Sequence, residues 1–233
     1  MLRSVQPELL DALAAHDPRA LHSRGDLRRV NTFMGHADIL ARALLGRPRD
    51  RPLDTLVELG AGDGTLLLEI ARRIAPRWPG TRAVLVDRQS LVTSHTRAHF
   101  EALSWQIEVV QADIFYWLRE QTPHMADVTI ANLFLHHFEG QDLSTLLHDV
   151  SRQTRLFLAC EPRRSRPALA AAAMLGLAGC NGVTVHDAAI SVRAGFDHDE
   201  LSAAWPGGAG WTLTEGNVGR FTHIFLAEHA SGA

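Results

Sequence analysis

The stretch LVELGAGDGTLLLEIARR (residues 56–73) decides the fold. Its first residues are apolar and predict a buried strand, which ends at Glu58 and Leu59. Gly60, Gly62 and Gly64 allow sharp backbone turns and lead directly into an amphipathic helix, whose first N–H groups can bind a ligand carboxylate or phosphate. Taken alone, the turn fits a dinucleotide enzyme, another cofactor-binding enzyme or a tight turn without a ligand. Its GxGxG spacing departs from the GxGxxG pattern of dinucleotide-binding proteins.

Short apolar strands alternate with amphipathic helices from Thr55 onward. The predicted strands are 55–59, 83–87, 107–110, 127–133 and 154–160, and the helices between them lie near 64–75, 90–103, 113–120 and 140–152. This alternation predicts a Rossmann-like, doubly wound α/β fold with a mostly parallel sheet covered on both faces. Two further strands, 211–217 and 220–228, are joined by Val218-Gly219 and predict an antiparallel hairpin at the edge of the sheet.

The chain is predicted to form one domain over residues 1–233, with two segments that cover it. Residues 1–50 are interpreted as an N-terminal helical cap, because apolar residues between Leu27 and Leu44 recur at helical spacing. After the fifth strand, a helix near 166–178 and a glycine-containing stretch at 179–196 interrupt the alternation. We interpret residues 163–196 as an insertion over the active site, followed by a short helix near 198–204.

Polar residues follow the later strands at the same edge of the predicted sheet. Asp87 ends the second strand, where a carboxylate can accept hydrogen bonds from two ribose hydroxyls. Asp113 and Ile114 follow the third strand and could bind an adenine amino group and cover its ring. Asn132 ends the fourth strand, facing the glycine turn. Asp87 and Asp113 could also be helix N-caps, and for Asp113 the two interpretations are equally supported.

The chain resembles class I S-adenosylmethionine-dependent methyltransferases over about residues 55–161. The resemblance rests on the order of four features: the glycine turn, Asp87, the pair Asp113-Ile114 and the segment NLFLHHF (132–138). The resemblance implies a seven-stranded sheet whose last strand is antiparallel. It also implies S-adenosyl-L-methionine as cofactor, released as S-adenosyl-L-homocysteine. The implied cofactor-binding residues are Glu58, Gly60, Ala61, Gly62, Gly64, Asp87, Arg88, Asp113, Ile114 and Asn132.

The segment LFLHHF is similar to the branch that contains ubiquinone- and menaquinone-biosynthesis methyltransferases, which act on small molecules. The Asn-Pro-Pro-Tyr type of motif, used by many methyltransferases that modify base amino groups, is absent from the sequence. We therefore expect O- or C-methylation of a phenolic, quinone-like or polyketide-like metabolite. The alternatives are a methyltransferase of protein or RNA, and a cofactor-binding partner protein without activity.

Two neighbouring histidines are the candidate catalytic residues. Methylation of a hydroxyl requires removal of its proton at or before the attack, and a neutral imidazole can accept that proton near pH 7. We assign this role to His137 or, failing that, to His136. The opposing interpretation is that both histidines cap the following helix or bond to the backbone.

The candidate substrate-binding residues lie in the two covering segments. They are Phe33, Met34 and His36 in the N-terminal cap, and His186 and Arg193 in the insertion. Phe33 and Met34 could equally be ordinary core residues.

Composition narrows the class of protein. The net charge of −3 and the lack of a basic cluster argue against a nucleic-acid partner. All 23 basic residues are arginine, so a Schiff-base or phosphate-loop lysine is excluded. The two cysteines lack metal-ligand spacing, so no metal is expected, and a reducing cytoplasm is the default location. The sequence shows neither a signal peptide nor a membrane span, and a homodimer is an open possibility.

Overall fold

The computed structural model describes residues 1–14, 16–47, 53–208 and 210–230. Its seven strands form one sheet in the order β3-β2-β1-β4-β5-β7-β6. The strands are β1 (Thr55–Leu59), β2 (Arg82–Asp87), β3 (Gln106–Gln111), β4 (Ala126–Asn132), β5 (Thr154–Pro162), β6 (Trp211–Val218) and β7 (Thr222–His229). The first five are parallel, and β7 runs antiparallel to both β5 and β6. The predicted fold class and edge hairpin are confirmed.

The helices of the described chain cover both faces of this sheet. They are α1 (Leu9–Ala12), α2 (Pro18–Met34), α3 (His36–Leu45), α4 (Thr65–Ile74), α5 (Ser94–Ala102), α6 (Ile114–Glu120), α7 (Gly140–Gln153), α8 (Arg166–Met174), α9 (Gly182–Ala194) and α10 (Glu200–Ala204). No helix among the described residues is long and apolar enough to cross a membrane.

The alternation of side chains along each strand divides the core in two. In β1, Leu56 packs with α3 and α4, whereas Val57 and Leu59 pack on the other face with α6 and α7. Successive strand residues point to opposite faces, so both faces of a central strand must be apolar. The apolar run of β1 is therefore nearly continuous, and Glu58 is its one charged residue.

Part of the N-terminal region packs in the core, and part of it covers the carboxyl edge of the parallel strands. Ile39, Leu40 and Leu44 of α3 are buried in the core, so α3 belongs to the main layer of helices. Helix α2 ends at Met34, and the division of residues 1–50 as a cap stays a prediction. Residues 15 and 48–50 of the predicted cap lie outside the described residues.

Helix α9 lies within the stretch 179–196, where the sequence pattern predicts no helix. Asn181 begins the helix, because its side chain accepts a hydrogen bond from the N–H of Thr184 at 2.9 Å. The helix buries residues on opposite sides, including Val183 and Val192, and only Gly182, His186 and Arg193 are exposed. A helix buried on several sides lacks the single apolar stripe from which helices are predicted.

Two buried carboxylates fasten the N-terminal segment to α9. Asp26 of α2 accepts hydrogen bonds from the N–H of Asn181 at 2.8 Å and from the hydroxyl of Thr184 at 3.0 Å. Asp187 accepts from the N–H groups of Leu9 and Leu10, both at 2.9 Å. The two covering segments predicted separately from the sequence are therefore joined over the sheet.

Candidate active site

A cavity of about 760 Å³ lies at the carboxyl edge of the parallel strands. One half is formed by the glycine turn and by the ends of β2 and β4, with Glu58, Gly60, Ala61, Gly62, Asp87 and Asn132. The other half is formed mainly by α2, α8 and α9. Its apolar residues are Val30, Phe33, Met34, Ala168, Ala172, Leu175, Ala188 and Val192, and the same helices also contribute the polar residues Arg24, Arg28, Asn31, Thr32 and Ser191. This position, outside the carboxyl ends of the strands, is where open α/β sheets bind ligands.

The glycine turn is built from three left-handed residues, Gly60, Gly62 and Gly64, with φ of 69°, 55° and 74°. A Cβ at Gly60 would lie 2.3 Å from the ring of Phe134, and one at Gly64 would lie 2.7 Å from Leu85. These two glycines are therefore required by the packing of the protein itself. A Cβ at Gly62 would meet open space, so at Gly62 the turn leaves room for a ligand.

Glu58 is a buried acid at the floor of the cavity. Its side chain is 3% exposed, and its Oε2 has no hydrogen-bond partner among the described residues. Burial raises the pKa of Glu58 well above its ordinary value, and the negative charges of Asp63 and Asp87 raise it further. An unpartnered buried acid is costly, and a cationic ligand in the cavity would stabilise its carboxylate.

Asp87 connects the second strand to the glycine turn. Its Oδ2 accepts from the N–H of Gly62, and its Oδ1 accepts from the N–H of Gln89, both at 2.8 Å. Each carboxylate oxygen can accept a second hydrogen bond, and Asp87 lines the cavity. The neighbouring Arg88 is exposed and lies 3.7 Å from Asp11.

Asp113 and Ile114 have structural roles at the start of α6. The Oδ1 of Asp113 accepts from the N–H groups of Phe115 and Tyr116 at 3.0 and 3.2 Å, which is an N-cap. Ile114 is 7% exposed and packs in the core. The described residues that line the cavity do not include these two, and their adenine contacts stay a prediction.

Asn132 is positioned at the cavity as the sequence predicts. It ends β4, is 9% exposed, and its Oδ1 has no hydrogen-bond partner in the described part of the chain. The cavity thus holds two buried oxygen acceptors without a hydrogen bond of normal geometry, Glu58 Oε2 and Asn132 Oδ1, although Asn132 lies close enough to His36 to oppose the lowering of that histidine's pKa. Buried acceptors without a partner are uncommon, and they are where a ligand donor would bind.

His136 lies between two carboxylates and is the more buried of the two histidines. Its Nδ1 is 2.8 Å from Oε2 of Glu161, and its Nε2 is 3.3 Å from Oε1 of Glu8. Burial opposes protonation, but hydrogen bonds and charge from Glu161 and Glu8 outweigh it and raise the pKa of His136 to about 9. Both ring nitrogens therefore carry protons near pH 7, which makes His136 unsuitable as a base.

His137 has the opposite electrostatic environment. Burial lowers its pKa, and the positive charge of His136 lowers it further, against the raising effect of Glu8 and Asp11. Its ring lies 4.4 Å from that of His136, and its Nδ1 is 3.9 Å from Asp11 Oδ2. His137 is therefore neutral near pH 7, but it is not among the described residues that line the cavity, so its role in proton removal stays a prediction.

The predicted substrate-binding residues divide between the cavity and other places. Phe33 and Met34 line the cavity, and Phe33 is 81% exposed. His36 is fully buried and bonds Thr222 through Nε2 at 3.0 Å, and burial lowers its pKa to about 4. His186 bonds Asp187, and Arg193 is exposed. The described residues that line the cavity do not include His36, His186 or Arg193.

Glu8 and Glu161 are site residues that the sequence analysis missed. Glu161 lies near the end of β5, and the rule that selected Asp87, an acid at the carboxyl end of a strand, could have identified it. Glu8 lies 128 residues from His136, and no local pattern connects them. It lines the cavity, and its Oε1 also accepts a hydrogen bond from Ser191.

Comparison with known proteins relates part of the chain to methyltransferases. Residues 56–155 match the family model described as "Methyltransferase domain". A curated relative, N-(2-amino-2-carboxyethyl)-L-glutamate synthase of Ralstonia nicotianae, is 49% identical over 55 residues. That match covers 24% of this chain and 14% of the relative, so the chain spans about one seventh of the relative's length.

Solved structures share the fold over nearly the whole chain. An O-methyltransferase family protein from Burkholderia thailandensis has a TM-score of 0.60 at 19% identity, covering 94% of this chain and 62% of that one. Mitomycin 7-O-methyltransferase has a TM-score of 0.59 at 19% identity, with 95% and 60% covered. At such identities the likeness shows the fold. The ubiquinone and menaquinone branch stays a prediction.

Proposed function

We propose that this chain is a class I methyltransferase, as its fold and the match over residues 56–155 support, and that it uses S-adenosylmethionine to methylate a hydroxyl of a small, largely apolar molecule. The observation that carries the proposal is the division of one cavity into two halves. One half has two buried oxygen acceptors beside an open glycine turn, and the other holds the apolar side chains of α2, α8 and α9.

The residues of the polar half fit the cofactor. The cofactor's methionine end carries an ammonium group, and Glu58 Oε2 and Asn132 Oδ1 are acceptors without a hydrogen bond of normal geometry among the described residues. Open space at Gly62 leaves room beside the turn, and Asp87 has acceptor capacity left for ribose hydroxyls. When bound, the cofactor supplies a methyl group on a positively charged sulfur, which keeps the bonding electrons as the methyl group leaves.

The protein contributes position and proton removal. An apolar wall excludes water and holds the acceptor molecule in line with the methyl group, which removes most of the entropic cost of the reaction. The acceptor hydroxyl must lose its proton to water or to a base as its oxygen attacks. We assign help with this loss to His137, held beside His136 and Glu161. Mitomycin 7-O-methyltransferase, by its name, acts on an oxygen of a small molecule, which is consistent with this class of substrate.

Calorimetric titration with S-adenosylmethionine tests the cofactor assignment. Because the pKa of Glu58 is raised in the free protein, a cationic ammonium beside it should lower that pKa and release a proton on binding. We therefore expect the affinity to rise between about pH 5 and pH 7.5, below the titration of the ligand's own amino group near 7.7–8.0. Absence of binding by both the cofactor and S-adenosylhomocysteine would refute the proposal.

Replacement of His137 by asparagine is expected to lower turnover by about 100-fold or more while cofactor affinity stays within about twofold, because general acid–base help typically contributes 10²–10⁴-fold. Turnover of a phenolic acceptor panel and titration with S-adenosylhomocysteine measure the two quantities. His186→Asn, a histidine at the exposed surface of α9, is the control and should keep wild-type turnover. Wild-type turnover in His137→Asn would leave that residue structural.

A further inference from the structure

Glu8, His136 and His137 bring three potential metal ligands together at the polar end of the cavity. One ligand atom from each residue lies within 4.8 Å of the other two. No metal is expected from the sequence, because its two cysteines lack metal-ligand spacing, and residue 8 lies far along the chain from residues 136 and 137. The long-range contact arises because the N-terminal segment is fastened to α9 by Asp187.

His136 is held in the orientation of a metal-binding imidazole. Its Nδ1 bonds the carboxylate of Glu161 at 2.8 Å, and the N–H groups of Phe134 and Leu135 fix that carboxylate at 3.0 and 2.8 Å. Histidines that bind metals commonly bond a carboxylate through the second ring nitrogen, which directs the first nitrogen at the ion. Nε2 of His136 is directed at Glu8.

The spacing of two of the three ligand atoms, those of His136 and Glu8, also fits an ion. Nε2 of His136 and Oε1 of Glu8 are 3.3 Å apart, whereas a hydrogen bond between opposite charges is usually about 2.7–2.9 Å. Two ligand atoms at about 2.0–2.1 Å from one tetrahedral ion are about 3.3–3.4 Å apart. The observed separation therefore matches two ligands of one ion better than a short charged hydrogen bond.

The charges of the cluster balance with a divalent cation. Glu8 and Glu161 place two carboxylates around His136, at 12% and 0% side-chain exposure. Asp11 adds a third carboxylate near His137, and Arg88 lies 3.7 Å from Asp11. With both histidines neutral, a divalent ion would offset the charges of Glu8 and Glu161, as the proton on His136 offsets one of them.

We propose that Glu8, His136 and His137 bind a divalent transition-metal ion, with Zn²⁺ suited to this set of two imidazoles and one carboxylate. Glu8 and His136 line the cavity, so coordination positions left by the protein would face a bound molecule. The role of the ion rests on the proposed function: as a Lewis acid it would orient the acceptor hydroxyl and make it more acidic. His137 would then assist proton loss as a ligand.

Titration of Zn²⁺ into chelator-treated protein at pH 7.5 tests the site. We expect saturable binding of one ion per chain. Glu8→Gln and His137→Asn should each weaken it at least tenfold, because each removes a ligand while keeping similar size. His95→Ala is the matched control. It removes one member of an exposed histidine pair on α5, whose rings lie 4.3 Å apart and which could bind Zn²⁺ adventitiously.

Titration with S-adenosylhomocysteine, in the presence of chelator, separates this inference from the proposed function. Each variant should still bind that ligand with wild-type affinity, which shows that it is folded. The metal site would be overturned by any of three results. These are failure of the protein to bind Zn²⁺, wild-type affinity for Zn²⁺ in Glu8→Gln and His137→Asn, and loss of Zn²⁺ binding in His95→Ala. The methyltransferase proposal fails only if the cofactor and its product both fail to bind.

Discussion

Replacing Asp87 by alanine is expected to weaken the binding of S-adenosylmethionine and S-adenosylhomocysteine by a similar factor, about 10- to 150-fold. The substitution removes the acceptor proposed for the ribose hydroxyls, and it also releases the N–H of Gly62, which Asp87 holds at 2.8 Å. Hydrogen bonds to charged groups contribute about 1.5–3 kcal/mol, and 1.4 kcal/mol corresponds to a factor of ten. Because both ligands carry the same ribose, the loss should not depend on the charge of the sulfur.

Asp127→Ala is the matched control for this measurement. Asp127 also accepts hydrogen bonds from two backbone N–H groups, those of Asp54 and Thr55, at 2.8 and 3.0 Å. It lies at the start of β4, at the opposite edge of the sheet from the cavity. Calorimetry should therefore show wild-type affinity for Asp127→Ala even if its stability falls. Equal affinity of wild type and Asp87→Ala would assign Asp87 to the turn alone.

The sequence predicts the polar half of the cavity because its signals are local. The glycine turn, Asp87 and Asn132 each follow a strand whose apolar run can be identified from a few neighbouring residues. Parallel strands bring their carboxyl ends to one edge, so the topology carries these residues together without further information. The exact use of a residue is less predictable, and Asp113 shows why: an N-cap and a ligand contact require the same residue at the same position.

The rest of the site depends on contacts between distant parts of the chain. Glu8 reaches His136 only after Asp187 has fastened the N-terminal segment to α9. Helix α9 itself is buried on several sides, so its sequence lacks the period on which prediction relies. The burial that decides the pKa values of His136 and His137 is likewise a property of the assembled fold. Their opposite protonation cannot be derived from two adjacent histidines in a sequence.

Replacing Glu161 by alanine is expected to lower the free energy of unfolding by about 3–5 kcal/mol, the usual cost of removing one partner from a buried ion pair. Glu161 is fully buried, and its carboxylate accepts from His136 Nδ1 and from the N–H groups of Phe134, Leu135 and His136. Alanine leaves these donors buried without that acceptor. Since domains are stable by only about 5–15 kcal/mol, such a loss should be obvious in denaturant unfolding.

Glu161→Gln and Glu139→Ala show whether the loss comes from the buried carboxylate. Glutamine keeps the size of the side chain and one acceptor oxygen, so we expect a smaller loss than with alanine. Glu139 is exposed at the start of α7, and its side chain does not cap that helix. Removing it should change stability by less than about 0.5 kcal/mol. A loss in Glu161→Ala no larger than in Glu139→Ala would contradict this account.

The stability lost in Glu161→Ala should also depend on pH, and its direction can be predicted. The pKa of His136 is raised from 6.5 to about 9 because Glu161 and Glu8 outweigh the effect of burial. A raised pKa in the folded state contributes stability that is complete below the unfolded value of 6.5 and is lost as the pH rises through 9. The difference in unfolding free energy between wild type and Glu161→Ala should therefore narrow between pH 6.5 and 9. A difference that widens over this interval would mean that His136 is neutral in the folded protein, and the charge assigned to this cluster would then be wrong.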